Sequence, residues 1–148
     1  MSFEDLPTDW AQRPVTDPTI TADLLDLVVG DRDRHEGAVG LLLCGPSGRL
    51  LQPVVVSAPR DDVLEDDRRR VFDVMAHALG EPPGGERPGM LVALARPDYR
   101  HAARDDARWR DAASASCAEH DINLLGVWLV TPQVIRPLRL PEPGRRSA

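Results

Sequence analysis

Apolar residues in this chain fall either into short unbroken blocks or into helically spaced sets. The first helical set is Ile20, Leu24, Leu25 and Val28, with Thr19 or Thr21 available as a cap and Gly30 as a stop. Asp31-Arg32-Asp33-Arg34 and the following His35-Glu36 read as a polar turn. The block Ala38 to Cys44 then reads as a buried strand. Gly45-Pro46-Ser47-Gly48 suits a type I turn, with a strand from Arg49 to Val56 returning antiparallel. Pro53 cannot donate to a ladder, which assigns that strand to an edge or a bulge.

Asp61 and Asp62 open a second helix that runs to Leu79 and stops at Gly80. Its expected buried side carries Leu64, Val71, Val74, Met75 and Ala78. A Pro/Gly-rich loop from Glu81 to Gly89 precedes Met90 to Ala95, a block typical of a strand covered on both faces. The loop Arg96 to Ala102 leads into a third helix ending near Glu119 or His120, with Ala102, Trp109, Ala113 and Cys117 inward. Ile122 to Thr131 is the last strong strand, and Val134 to Leu140 adds a short one. The order α-β-β-α-β-α-β predicts an α/β fold, a three-layer α/β sandwich with a mixed sheet. Leu42, Val55, Met75, Val92, Trp109, Leu125 and Val127 are its expected core.

With 148 residues the chain suits one domain, expected over 18–140. Residues 1–17 contain Pro7 and Pro14 and read as an irregular arm that Trp10 pins to the surface; 141–148 read as a disordered tail. No segment approaches the roughly 20 apolar residues that span a bilayer. The acidic start Met1-Ser2-Phe3-Glu4-Asp5 lacks a secretory apolar region, so a cytoplasmic protein is expected. The net charge of -6 opposes a general role on phosphate backbones, so neither a membrane nor nucleic acid is expected as partner. All 18 Lys+Arg residues are arginine, a residue suited to bidentate pairing with carboxylates. Cys44 and Cys117 sit in apolar segments and read as buried thiols; no Cys/His cluster spells a zinc site.

Candidate chemistry concentrates in Arg96-Pro97-Asp98-Tyr99-Arg100-His101, just past the carboxyl end of a central strand, where open α/β sheets place their sites. Arg96, Tyr99, Arg100 and His101, with Asp106 at the start of the next helix, could bind an anion or small ligand or serve an enzyme's site. The same residues could instead be a polar connection, with Asp98, Asp105 and Asp106 neutralising Arg96 in a closed ion-pair network. Asp105 and Asp106 also complement a helix dipole. Arg68-Arg69-Arg70, among Asp66, Asp67 and Asp73, reads as a solvated face with local ion pairs. There is no nucleophile elbow and no phosphate loop.

From about Glu36 to Leu138 the organisation resembles the JAB/MPN metalloprotease-like domain, particularly its RadC-like branch. The likeness is carried by Leu41-Leu42-Leu43-Cys44-Gly45-Pro46-Ser47-Gly48-Arg49-Leu50, by Leu91 to Pro97, by Asp105-Asp106 and by Ile122 to Val130. Active members carry His-x-His-Pro at the end of the central strand and Ser-x-x-Asp at the next helix. Here Leu94 and Arg96 stand at the histidine positions, Pro97 is retained, Ala103 replaces the serine, and Asp106 matches the aspartate; Glu36 lies near the family's glutamate. With two of three zinc ligands missing, the resemblance implies a metal-free module without cofactor or catalytic residues. It points to protein interaction or regulation, with an unidentified protein partner or a second copy in a homodimer.

Overall fold

The computed structural model describes residues 6–58, 63–80, 83–98 and 103–138. Among them, four helices and a five-stranded mixed sheet make an α/β fold. The helices are α1 (Thr21–Val28), α2 (Asp31–Glu36), α3 (Glu65–Leu79) and α4 (Ala103–Glu119). The strands are β1 (Ala38–Cys44), β2 (Leu50–Ser57), β3 (Gly89–Ala95), β4 (Asn123–Val130) and β5 (Ile135–Pro137), in the order β2-β1-β3-β4-β5. Neighbours pair antiparallel except β3 and β4, which run parallel and are joined through α4.

The unbroken apolar blocks became the inner strands because both of their faces are covered. Every residue of β1 and of β3 is buried. Val39, Leu41, Val92 and Leu94 point to one side, where they pack with Phe72 of α3 and with Trp109, Ala113 and Cys117 of α4. Leu42, Cys44, Leu91 and Ala93 point to the other, where they pack with Leu24, Leu25 and Val29 at and after α1. Helices therefore cover both faces of the sheet. β2 lies at the edge, where Pro53 pairs with Leu42 without having to serve as an inner rung.

The hairpin turn uses Gly48 at φ 83, and a Cβ there would fall 2.9 Å from Pro14 Cβ. This closeness seats the N-terminal arm: Pro14 bridges to Arg49, Val15 N–H donates to the Gly48 carbonyl, and the Val15 side chain is buried. Trp10, in a single 3-10 turn, packs against the same cluster as α1.

Several elements differ from their sequence expectation. Residues 31–36 form α2 rather than a polar turn, because Arg34 folds inward and caps the end of α1. Its guanidinium donates to the Val29 carbonyl and the Thr131 carbonyl and pairs with Asp26 at 2.7 Å. Thr21 lies inside α1 and donates to the Val15 and Asp17 carbonyls, while Ile20 occupies the cap position. Helix α3 buries Arg68, Phe72 and Ala76; Leu64 and Val74, expected inside, are 69% and 53% exposed, and Ala78 is also exposed. Asp61 and Asp62 lie outside the described residues, as does Ala102. Of the expected core, Leu42, Val92 and Trp109 are buried, whereas Val55, Met75, Leu125 and Val127 are half-buried. Val55 sits on the edge strand β2, and Leu125 and Val127 on β4 next to the other edge.

Candidate functional site

β3 ends at Ala95, and the Arg96 N–H continues the parallel ladder by donating to the Val130 carbonyl at 2.9 Å. Arg96 follows Val92 and Leu94 on the α3–α4 side, and there its long side chain is completely buried. Nε donates to Asp106 Oδ1 at 3.2 Å, one terminal nitrogen donates to Asp105 Oδ2 at 3.0 Å, and the other to the Ala95 carbonyl. Both carboxylates come from the first turn of α4, so adjacent aspartates grip one guanidinium.

Asp105 has a second cation. Its Oδ1 accepts from Arg68 of α3 at 3.2 Å, making this carboxylate a bridge between two buried arginines. The Arg68 guanidinium also lies 5.8 Å from the Trp109 ring centroid, and Trp109 meets Phe72 edge-on at 5.9 Å. Among the described residues, the Arg68 Nε–H is shielded from solvent and finds no acceptor. The expectation of a solvated arginine face is therefore corrected at Arg68, while Arg69 does make the local pair with Asp73 and Arg70 is exposed. Hydrophobic patterning missed Arg68 because it scores arginine as outward. The available signal was its position four residues before Phe72, on the same helical stripe.

Of the residues named as a ligand site, Arg96 and Asp106 are brought into direct contact. Tyr99, Arg100 and His101 lie outside the described residues. Glu36, at the end of α2, pairs with Arg32 at 3.2 Å on the surface. Leu94 is fully buried in apolar packing. These side chains do not fit a zinc centre of the JAB/MPN kind. Leucine offers no donor atom, and a guanidinium at Arg96 puts positive charge beside Asp106, the carboxylate that the resemblance would assign to a metal.

A separate cluster lies where α4 ends against α3. Ligand-type atoms of Asp73, Glu119 and His120 all fall within 4.8 Å of one another. Arg69 is hydrogen-bonded to both Asp73 and Glu119, so a fixed cation already serves these carboxylates. Burial pushes the Asp73 carboxyl up, but hydrogen bonds from Ser116 (2.5 Å) and Arg69 outweigh it and hold the group below its ordinary value. Burial alone pushes the thiols of Cys44 and Cys117 up to about 12 and about 11, which keeps both protonated and poorly nucleophilic at neutral pH.

Among the described residues no helix is long and apolar enough to cross a membrane. Comparison with protein-family models, curated proteins and solved structures finds no match to the chain.

Proposed function

We propose that this chain is a non-catalytic, JAB/MPN-like domain that works in protein interaction or regulation, with an arginine–aspartate network in the position the resemblance assigns to a catalytic metal. The observation that carries the reading is the complete burial of Arg96 between Asp105 and Asp106. A guanidinium neutralises the carboxylates as a metal ion would, but it has no open coordination position to polarise a substrate or activate water. Leu94 adds no ligand beside it.

Elemental analysis of the purified protein after exhaustive dialysis tests this reading. The expected result is no stoichiometric zinc; about one zinc per chain overturns it. An anion or small-molecule site at Arg96, Tyr99, Arg100, His101 and Asp106 is the second reading, favoured by the position of Arg96 at the carboxyl end of β3. Against it stands the engagement of the Arg96 guanidinium by two carboxylates of its own chain.

A further inference from the structure

We propose that the edge strand β2 pairs antiparallel with β2 of a second copy of this chain, across a two-fold axis at Val55, so that two five-stranded sheets become one. The inference rests on the interaction reading above and deepens it by naming the surface and the partner.

The direction of each backbone group on β2 follows from its register. Opposed residues run from Ala38 and Ser57 to Leu42 and Pro53, and just beyond them the Ala58 N–H donates to the Gly37 carbonyl at 3.1 Å. Hydrogen-bonded and open pairs alternate along an antiparallel ladder, so Val54 and Val56 turn their backbone groups toward β1. Pro53, Val55 and Ser57 turn theirs away from the sheet. Gln52 Nε2 reaches the Pro53 carbonyl at 3.2 Å, as an outward carbonyl allows. Among the described residues, the outward N–H groups of Val55 and Ser57 find no acceptor. Groups spaced along an edge in this way are matched by another extended backbone.

The two edges of the sheet differ in how they are guarded. β5 has only three residues, and Arg136 and Pro137 are among them, which are common devices against edge pairing. β2 has eight residues and no charge. The N-terminal arm bridges to Arg49, before the strand begins, and leaves Leu50–Ser57 uncovered among the described residues. The guard within β2 is Pro53, which removes a single outward N–H.

Symmetry then makes a second copy the fitting strand. Antiparallel pairing about a two-fold sets each side chain near the axis against its own kind, which repels if that side chain is charged. Here the axis meets Val54-Val55-Val56, which is uncharged and half-buried in the single chain. With Val55 opposite the second copy's Val55, these two residues exchange both backbone hydrogen bonds. Val54 then meets the second copy's Val56, and the Ser57 N–H reaches the second copy's Pro53 carbonyl. Such β-branched cross-strand pairs are among the favourable ones. An axis at Pro53 would instead set two carbonyls face to face with no N–H between them, so the proline fixes the register.

Sedimentation equilibrium of the full chain from ~1 to ~500 μM, a span that covers micromolar affinity, tests the pairing. The expected result is a reversible monomer–dimer equilibrium. Amide exchange followed by NMR should slow at Val55 and Ser57 as the concentration rises, while Val54 and Val56 stay protected throughout. Ser57→Pro removes an N–H that has no acceptor within its own chain, so the fold should survive while dimerisation weakens at least ~10-fold. Ser57→Ala, which keeps the N–H, should dimerise like the original. A monomer at every concentration overturns the proposal, and so does a dimer that leaves the Val55 and Ser57 amides unprotected or is untouched by S57P. A chain that stays monomeric but gains that protection from acetyl-Pro-Val-Val-Val-Ser-amide would assign the edge to a foreign strand and likewise overturn the second copy. Oligomeric state and zinc content are measured separately, so this inference and the reading beneath it can each fail alone.

Discussion

On the α1–α2 face of the sheet, the buried arginine, Arg34, gives most of its donors to backbone carbonyls and only one to a carboxylate, Asp26. On the α3–α4 face, Arg96 gives its donors chiefly to two carboxylates, Asp105 and Asp106, and Asp105 is shared with Arg68. The first arrangement is a clamp. It satisfies carbonyls at the end of α1 that would otherwise face the interior without partners, and it ties α2 to Thr131 beyond β4. The second is a charge-compensated centre in which each ion is tolerable only while its partners remain. The same side chain thus acts as a backbone cap on one face and as a fixed counter-ion on the other. Among the described residues, only the second arrangement contains a buried donor without an acceptor, the Arg68 Nε–H.

The contrast is tested most severely by removing each arginine. Arg96→Ala leaves two carboxylates without their shared cation and should destabilise the fold by about 3–5 kcal/mol in denaturant unfolding. Arg34→Ala removes one charged hydrogen bond and several backbone ones, and about 2–3 kcal/mol is expected. A loss from Arg96→Ala smaller than that from Arg34→Ala would break the comparison, because it would mean that the α4 carboxylates are solvated.

The two thiols report which face opens. Cys44 packs with the α1 side and Cys117 with the α3–α4 side, and burial suppresses the reactivity of both. In single-thiol versions, Arg96→Ala should speed thiol-reagent labelling of Cys117 more than of Cys44, and Arg34→Ala should do the reverse. Equal acceleration of both thiols by either change would show that the faces open together rather than separately.

Acid gives a smaller effect. Burial raises the Asp26 carboxyl, but the hydrogen bond and charge of Arg34 lower it further, leaving it below the ordinary 3.8. Its folded value is below its unfolded one, so its contribution is complete above the unfolded value and fades as pH falls through the folded one. Asp26→Asn should therefore flatten the fall in urea stability between about pH 5 and pH 3, and an unchanged slope would separate Asp26 from the clamp. Least affected should be Leu64→Ser and Val74→Ser, each within about 0.5 kcal/mol in the same unfolding measurement. A loss of several times that from Val74→Ser would restore the helix face that hydrophobicity alone suggests.

The sequence by itself determined the strands. Ala38 to Cys44 and Met90 to Ala95 are apolar without interruption, and only an inner strand covered on both faces uses such a block. Pro53 marked the edge, since a residue without an N–H is excluded from the inner ladder. Trp109, Ala113 and Cys117 gave the inward face of α4, because large and small apolar residues recur there at helical spacing. The candidate site was legible only as a choice between a ligand site at Arg96 and an ion-pair network with Asp105 and Asp106. Tertiary structure decided what hydrophobic pattern cannot encode: that Arg34, Arg68 and Arg96 turn inward, that α2 forms, and that α3 presents Phe72 rather than Val74 to the sheet. An arginine is buried only where carbonyls or carboxylates from distant segments converge on its donors. For Arg34 that partner is Thr131, for Arg68 it is Asp105, and for Arg96 it is a pair of aspartates on the next helix, and folding alone brings them together.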